Sequence, residues 1–161
     1  MLWKYGEERE SRRIARRIVE ARPLHTTTEL VAVVKAAGTK REPKEVTRRL
    51  SRVFQALRIE VNQEMAELEA VLTAATHLIR PGGRLAVMSY HSLEDRRVKR
   101  LLRSGSFDAT EPAKDFYGNV LSPWSPLTRQ PVTPSPEELA ANSRARSVRL
   151  RVGERTKHPP I

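Results

Sequence analysis

The densest chemistry in this chain stands at positions 89 to 95, Ser-Tyr-His-Ser-Leu-Glu-Asp. Ser89, Tyr90, His91, Ser92, Glu94 and Asp95 are side chains of the kind that hold a polar ligand by hydrogen bonds, and His91 carries a titratable ring. A plainer assignment stands beside this one. Ser92 is placed to cap the amides of a following helix, with Asp95 answering it three residues on, and a lone His such as His91 is more often an ordinary hydrogen-bonded side chain. A second polar set, Gln55, Arg58 and Asn62, recurs at spacings of three and four and so shares one flank of a helix. It reads either as part of a pocket or as a structural hydrogen-bond network.

These residues need elements to position them. Phe54, Leu57, Val61, Met65, Leu68, Leu72, Ala75 and Ile79 alternate spacings of three and four, which predicts one long amphipathic helix. Pro81-Gly82-Gly83 ends it. Leu-Ala-Val-Met at 85 to 88 then runs apolar without alternation, as expected of a strand covered on both faces in a parallel sheet. Helix, turn, strand and polar elbow make one step of a doubly wound α/β sheet, and ligands bind such sheets at the carboxyl ends of their strands.

Upstream, a helix is predicted from Gly6 to Arg22, with Ile14, Ile18 and Val19 as a narrow apolar stripe among arginines. Pro23 stops it. Thr26 and Glu29 form a capping box for a second short helix that Gly38 closes, and the two helices should pack on something else. Lys40 to Arg52 reads as a solvated connection or first turn. Downstream, Leu93 to Arg103 predicts a helix carrying Arg96, Arg97, Lys99, Arg100 and Arg103. Residues 104 to 136 are rich in proline and serine and predict a long irregular loop. Ser135 and Pro136 start a short helix. Val-Arg-Leu-Arg-Val at 148 to 152 alternates strictly, predicting a half-exposed closing strand with one basic face.

Composition narrows the function classes. Thirty Lys+Arg against nineteen Asp+Glu give a formal charge of +11 across 161 residues, which points to a polyanionic partner, most simply nucleic acid. Arg96, Arg97, Lys99 and Arg100, with Arg144, Arg146, Arg149 and Arg151, are the candidates for holding a nucleic-acid backbone. There is no cysteine, so disulfides and thiolate chemistry are excluded. His25, His77, His91 and His158 show no ligand spacing, so no metal is expected. No apolar run reaches the length of a membrane span, and the N-terminal residues lack a signal-peptide pattern, so a cytoplasmic protein is expected.

Three blocks, R-V-F-Q-A-L-R-I-E-V-N-Q-E (52 to 64), P-G-G-R-L-A-V-M-S-Y-H-S-L-E-D-R-R-V-K (81 to 99) and N-S-R-A-R-S-V-R-L-R (142 to 151), resemble blocks of the ribosomal small-subunit RNA (cytosine-N4)-methyltransferase H family, also called MraW, in its order and spacing. Tyr5-Gly6-Glu7-Glu8 and the arginine-rich stretch after it extend the resemblance over nearly the whole chain. The resemblance implies a class I methyltransferase that uses S-adenosylmethionine to methylate a cytidine amine of small-subunit ribosomal RNA. It implies the C-terminal half of a Rossmann-like sheet in residues 48 to 161 and the later part of an inserted helical subdomain in residues 1 to 47. Arg48-Arg49-Leu50-Ser51 departs from the family's usual His-Pro-Ala-Thr, and Ser143 stands where proline is common. The family's glycine-rich cofactor loop has no counterpart, since no G-x-G occurs in the sequence. A fragment inactive by itself is therefore expected, with a non-catalytic RNA-binding module derived from the family as the alternative. An incomplete sheet would leave an open edge and invite self-association.

Overall fold

The computed structural model describes residues 1–39 and 42–160. Of the expected connection from Lys40 to Arg52, its first two residues lie outside the described ones. The chain divides into two compact units, Met1–Glu64 and Met65–Ile161. The sequence boundary at 47/48 falls inside a helix of the first unit.

The first unit is helical: α1 (Leu2–Gly6), α2 (Ser11–Glu20), α3 (Thr27–Ala37) and α4 (Pro43–Val61). The single helix predicted from Gly6 is corrected, because Gly6 closes α1 and Glu7 then takes a left-handed φ of 50° that no helix continues through. Gly6 is needed there, since a Cβ would lie 2.7 Å from the Arg52 carbonyl of α4. The Thr26–Glu29 capping box and the close of α3 at Gly38 form as expected. Helix α4 begins at Pro43, so the charged stretch to Arg52 is mostly helix. Its buried face is Arg49, Val53, Ala56 and Ile59, packed in part with Leu2, Ile14, Val34 and Ala37. Arg49 is tolerated inside because Nη2 donates to Glu10 Oε2 at 2.9 Å. Glu10 also accepts from the Thr39 hydroxyl and amide. The Thr39 hydroxyl bond, helped by the Thr39 amide and Arg49, outweighs desolvation and holds the Glu10 carboxyl below its ordinary range.

The predicted long helix is two helices. Asn62 caps α4, Gln63 turns at φ 51°, and α5 (Glu64–Leu78) follows. The turn breaks the phase of the stripe: Val61 is 77% exposed, while Met65 and Leu72 are buried as expected.

The second unit builds α5, β1 (Arg84–Ser89), α6 (Ser92–Ser104), β2 (Trp124–Pro126), α7 (Pro136–Ala141), a 3-10 turn at Ser143–Ser147 and β3 (Arg149–Arg155). The sheet order is β1-β3-β2, and β3 runs antiparallel to both neighbours, with Val87 opposite Arg151 and Trp124 opposite Arg155. The expectation of a strand covered on both faces in a parallel sheet is thus corrected. Strand β1 alternates, turning Leu85, Val87 and Ser89 inward while Met88 is 60% exposed. The mixed α/β class stands, with β1 and β2 pointing the same way and α6 between them in sequence.

Strand β3 also departs from expectation. Being central, it buries its arginine face: Arg151 and Arg155 are both internal. Arg155 donates to the carbonyls of Thr76, Pro123, Thr156 and His158, closing the end of the chain against α5. Leu72, Val98, Leu101, Leu102 and Trp124 form the core of this unit. The proline-rich segment is mostly irregular as expected, yet it contributes β2 and the buried Trp124, whose Nε1 donates to Thr76 Oγ1 at 2.9 Å. Ser135 caps α7 with Pro136 at its first position, as the sequence indicates.

Candidate functional site

The elbow after β1 is held by a cap, though not the expected one. His91 has extended backbone (φ −143°, ψ 164°) and is the N-cap of α6, its Nδ1 accepting from the Glu94 amide at 3.4 Å. Glu94 reaches back with Oε2 to accept from the amides of Tyr90 (2.8 Å) and His91 (3.3 Å). The ring nitrogen Nδ1 sits as many bonds from Cα as the capping oxygen of Asn or Asp, so histidine can do their work here. Its Nε2 lies 3.4 Å from Glu94 Oε1. Ser92 and Asp95 are therefore not the capping pair: Ser92 is the first helical residue and is exposed.

Asp95 has a different task. Its carboxylate receives Arg151 Nε at 2.6 Å and Nη2 at 3.1 Å, and Arg149 Nη1 at 3.1 Å. Burial pushes the carboxyl up, but the hydrogen bonds from Arg151 and Arg149 and their charges outweigh it and hold Asp95 below its ordinary range. Ser89, at the end of β1, is 2% exposed, and its hydroxyl has no hydrogen-bond partner among the described residues. Tyr90 beside it is 57% exposed. The elbow thus presents the buried Ser89 hydroxyl and the open Tyr90 ring around a capped helix start.

Gln55, Arg58 and Asn62 belong to the first unit. Gln55 is half-buried, with Nε2 3.5 Å from the Tyr5 carbonyl. Arg58 makes a two-point pair with Glu64 (2.7 and 3.0 Å), and Asn62 approaches the same carboxylate at 3.4 Å. Arg58 and Asn62 thus converge on Glu64, while Gln55 turns to Tyr5 instead.

The basic candidates separate by location. Arg96, Lys99, Arg144 and Arg146 are exposed. Arg97 pairs with Glu69 at 2.9 Å, and with Arg100 it donates to the Phe107 carbonyl, so both order the loop after α6. Arg149 is exposed yet tied to Asp95, while Arg151 is 6% exposed, which removes it from the surface that the sequence suggested. Alternation alone hides this, because it cannot say which face of a strand is covered.

The sequence profile of the MraW methylase family matches residues 1–156. The chain belongs to the MraW methylase family. Proteins named ribosomal RNA small subunit methyltransferase H are similar to it: that of Gloeobacter violaceus is 50% identical over 155 residues, covering 96% of this chain and 43% of the relative. That of Rhodospirillum centenum is 48% identical over 165 residues, covering 99% and 50%, and that of Amoebophilus asiaticus 44% over 152 residues, covering 94% and 49%. This MraW-family chain spans about half the length of the curated relatives it matches. Its departures at Arg48–Ser51 are structural in part, since Arg49 is the buried partner of Glu10.

Proposed function

We propose that this chain supplies the RNA-facing part of an S-adenosylmethionine-dependent enzyme that methylates the N4 amine of a cytidine in small-subunit ribosomal RNA. Family membership across residues 1–156 carries the reading. In it, residues 1 to 47 are the later part of an inserted helical subdomain, and 48 to 161 the C-terminal half of a Rossmann-like domain. Methyl transfer to an amine depends chiefly on alignment, so the substrate side of the site needs polar groups held in fixed positions. Ser89, with a buried hydroxyl free to accept or donate, and Tyr90, with an open ring against which a base can stack, suit that task. His91 and Glu94 are positioning groups in this reading.

The described residues do not fit the cofactor itself. At the start of α6, the amides of Tyr90 and His91 are taken by Glu94, and that of Glu94 by His91, so three of the amides at this turn are already bonded within the cap. Gly6, Gly38, Gly83 and Gly153 each face protein atoms where a Cβ would stand, so none of the four is a place of close ligand approach. We therefore derive no step through S-adenosylmethionine in this chain.

A chimera tests the reading: the portion of the Gloeobacter violaceus relative that precedes its matched segment, joined to this chain. With small ribosomal subunits lacking the modification and methyl-labelled S-adenosylmethionine, label should appear on one cytidine. The isolated chain should neither transfer methyl nor bind the cofactor by isothermal titration. Micromolar binding by the isolated chain would refute the division of labour. A second reading, a basic RNA-binding module without turnover, is favoured by the exposed arginines of α2, Arg12, Arg13, Arg16 and Arg17. A folded chimera that binds RNA with no transfer would select it.

A further inference from the structure

One cleft in the second unit collects positive charge outside the elbow. It has a volume of about 420 Å³ and lies between α6, which supplies Lys99 and Arg103, and the segment after β2, which supplies Thr128, Arg129 and Gln130. Among the described residues, no carboxylate lines it. Its floor is Leu102 and the buried Arg151, whose charge Asp95 already balances. Arg103 is partly neutralised by Glu111, with Nη2 at 2.6 and 2.8 Å from the two carboxylate oxygens. Lys99 and Arg129 remain exposed, and neither makes an ion pair or hydrogen bond with a described residue. Two uncompensated cations therefore face one concave site beside a third, and like charges gathered this way are stabilised by an anion.

The outer wall is built, not loose. The Leu127 amide donates to the Val152 carbonyl at 2.9 Å, and the Val152 amide donates to Thr128 Oγ1 at 3.0 Å, which pins the segment along β3. Arg129 and Gln130 follow directly and are thereby held over α6. A guanidinium, an ammonium and a side-chain amide across a narrow cleft are donors for phosphate oxygens, and the cleft has room for a phosphate with its sugar.

We propose that this cleft binds a phosphodiester group of RNA, with Lys99 and Arg129 as the charge-bearing contacts and Gln130 as a neutral donor. It deepens the proposed function by naming a backbone anchor apart from the elbow, and rests on that reading only for the choice of RNA over a free anion.

The test uses the full chain and a fluorescein-labelled single-stranded RNA oligonucleotide, with binding followed by anisotropy across a salt series. Each phosphate contact in a single strand contributes about 0.7 to the slope of log affinity against log salt, so Lys99→Gln/Arg129→Gln should lower the slope by about 1.4 and weaken binding about tenfold or more near 0.1 M salt. Lys35→Gln/Lys44→Gln removes the same charge from exposed positions in the first unit and should move the slope less. Equal effects of the two pairs, or no RNA binding by the wild-type chain, would overturn the proposal. Inorganic phosphate should compete only at far higher concentration; competition at the concentration of RNA phosphate would make the site one for a free anion and overturn the RNA assignment. The measurement needs no cofactor. A chimera without methyl transfer therefore leaves a positive result standing, and an active chimera does not rescue a negative one.

Discussion

Arg151 of β3 meets Asp95 of α6 in a two-point ion pair, Nε to Oδ1 at 2.6 Å and Nη2 to Oδ2 at 3.1 Å, with both side chains buried. The pair joins the central strand to the first turn of the helix that starts at the elbow. Removing one member strands the other's charge inside, which costs about 3–5 kcal/mol in comparable buried pairs. Asp95→Asn is expected to lower stability to urea by an amount of that order, and Asp95→Asn/Arg151→Met by less than the sum of the single changes.

The same pair sets an acid limit. The folded-state carboxyl of Asp95 titrates below its ordinary value of 3.8. A depressed group adds stability that is fully present above its unfolded pKa and disappears as pH falls through its folded pKa. Urea midpoints should therefore decline for the wild type as pH drops below about 4. Asp95→Asn should decline less, so the gap between the two narrows with acid. A gap that stays constant from pH 6 to 3 would show that the pair contributes nothing to this dependence.

At the elbow, the cap predicts a graded series at one position. His91→Ala removes the acceptor for the Glu94 amide, and losing a cap costs about 0.5–2 kcal/mol. The 3.4 Å bond places His91 at the lower end of that range. His91→Asn, which keeps an acceptor at the same reach, should restore most of the loss in thermal melts. In the chimera, a drop in methyl transfer that His91→Asn also restores would mark the role as positioning. A drop that persists in the cap-restoring variant would place the imidazole at the substrate.

Much of this architecture could be read before any coordinates. Capping residues such as Thr26, Glu29 and Ser135 act through neighbours three residues away, so their signals are local and survived. The His91 cap is hard to read because hydroxyl, carboxylate and carboxamide side chains are the usual caps, although Glu94 three residues later carries the same pattern. The break at Gln63 left no trace either, since a glutamine at positive φ has no sequence mark and the apolar spacing runs on past it. Strand pairing and the burial of Arg151 and Arg155 depend on partners more than fifty residues away, Asp95 and Thr76. Nothing in an alternating run of arginine and valine says which face a helix will cover.

Trp124 offers an optical test of the second core. Its indole is 1% exposed and donates to Thr76 Oγ1, whereas Trp3, the other tryptophan, is 65% exposed. In a Trp3→Phe background the remaining emission should be blue-shifted in the native state and move red in one step on unfolding. Thr76→Val keeps the volume of the side chain but takes away the acceptor, leaving a buried N–H unsatisfied at about 1–3 kcal/mol. Thr76→Ser retains the hydroxyl and should cost less. If valine and serine destabilise equally, the bond to the indole is not what holds Trp124 in place, and the methyl group of Thr76 carries the effect instead.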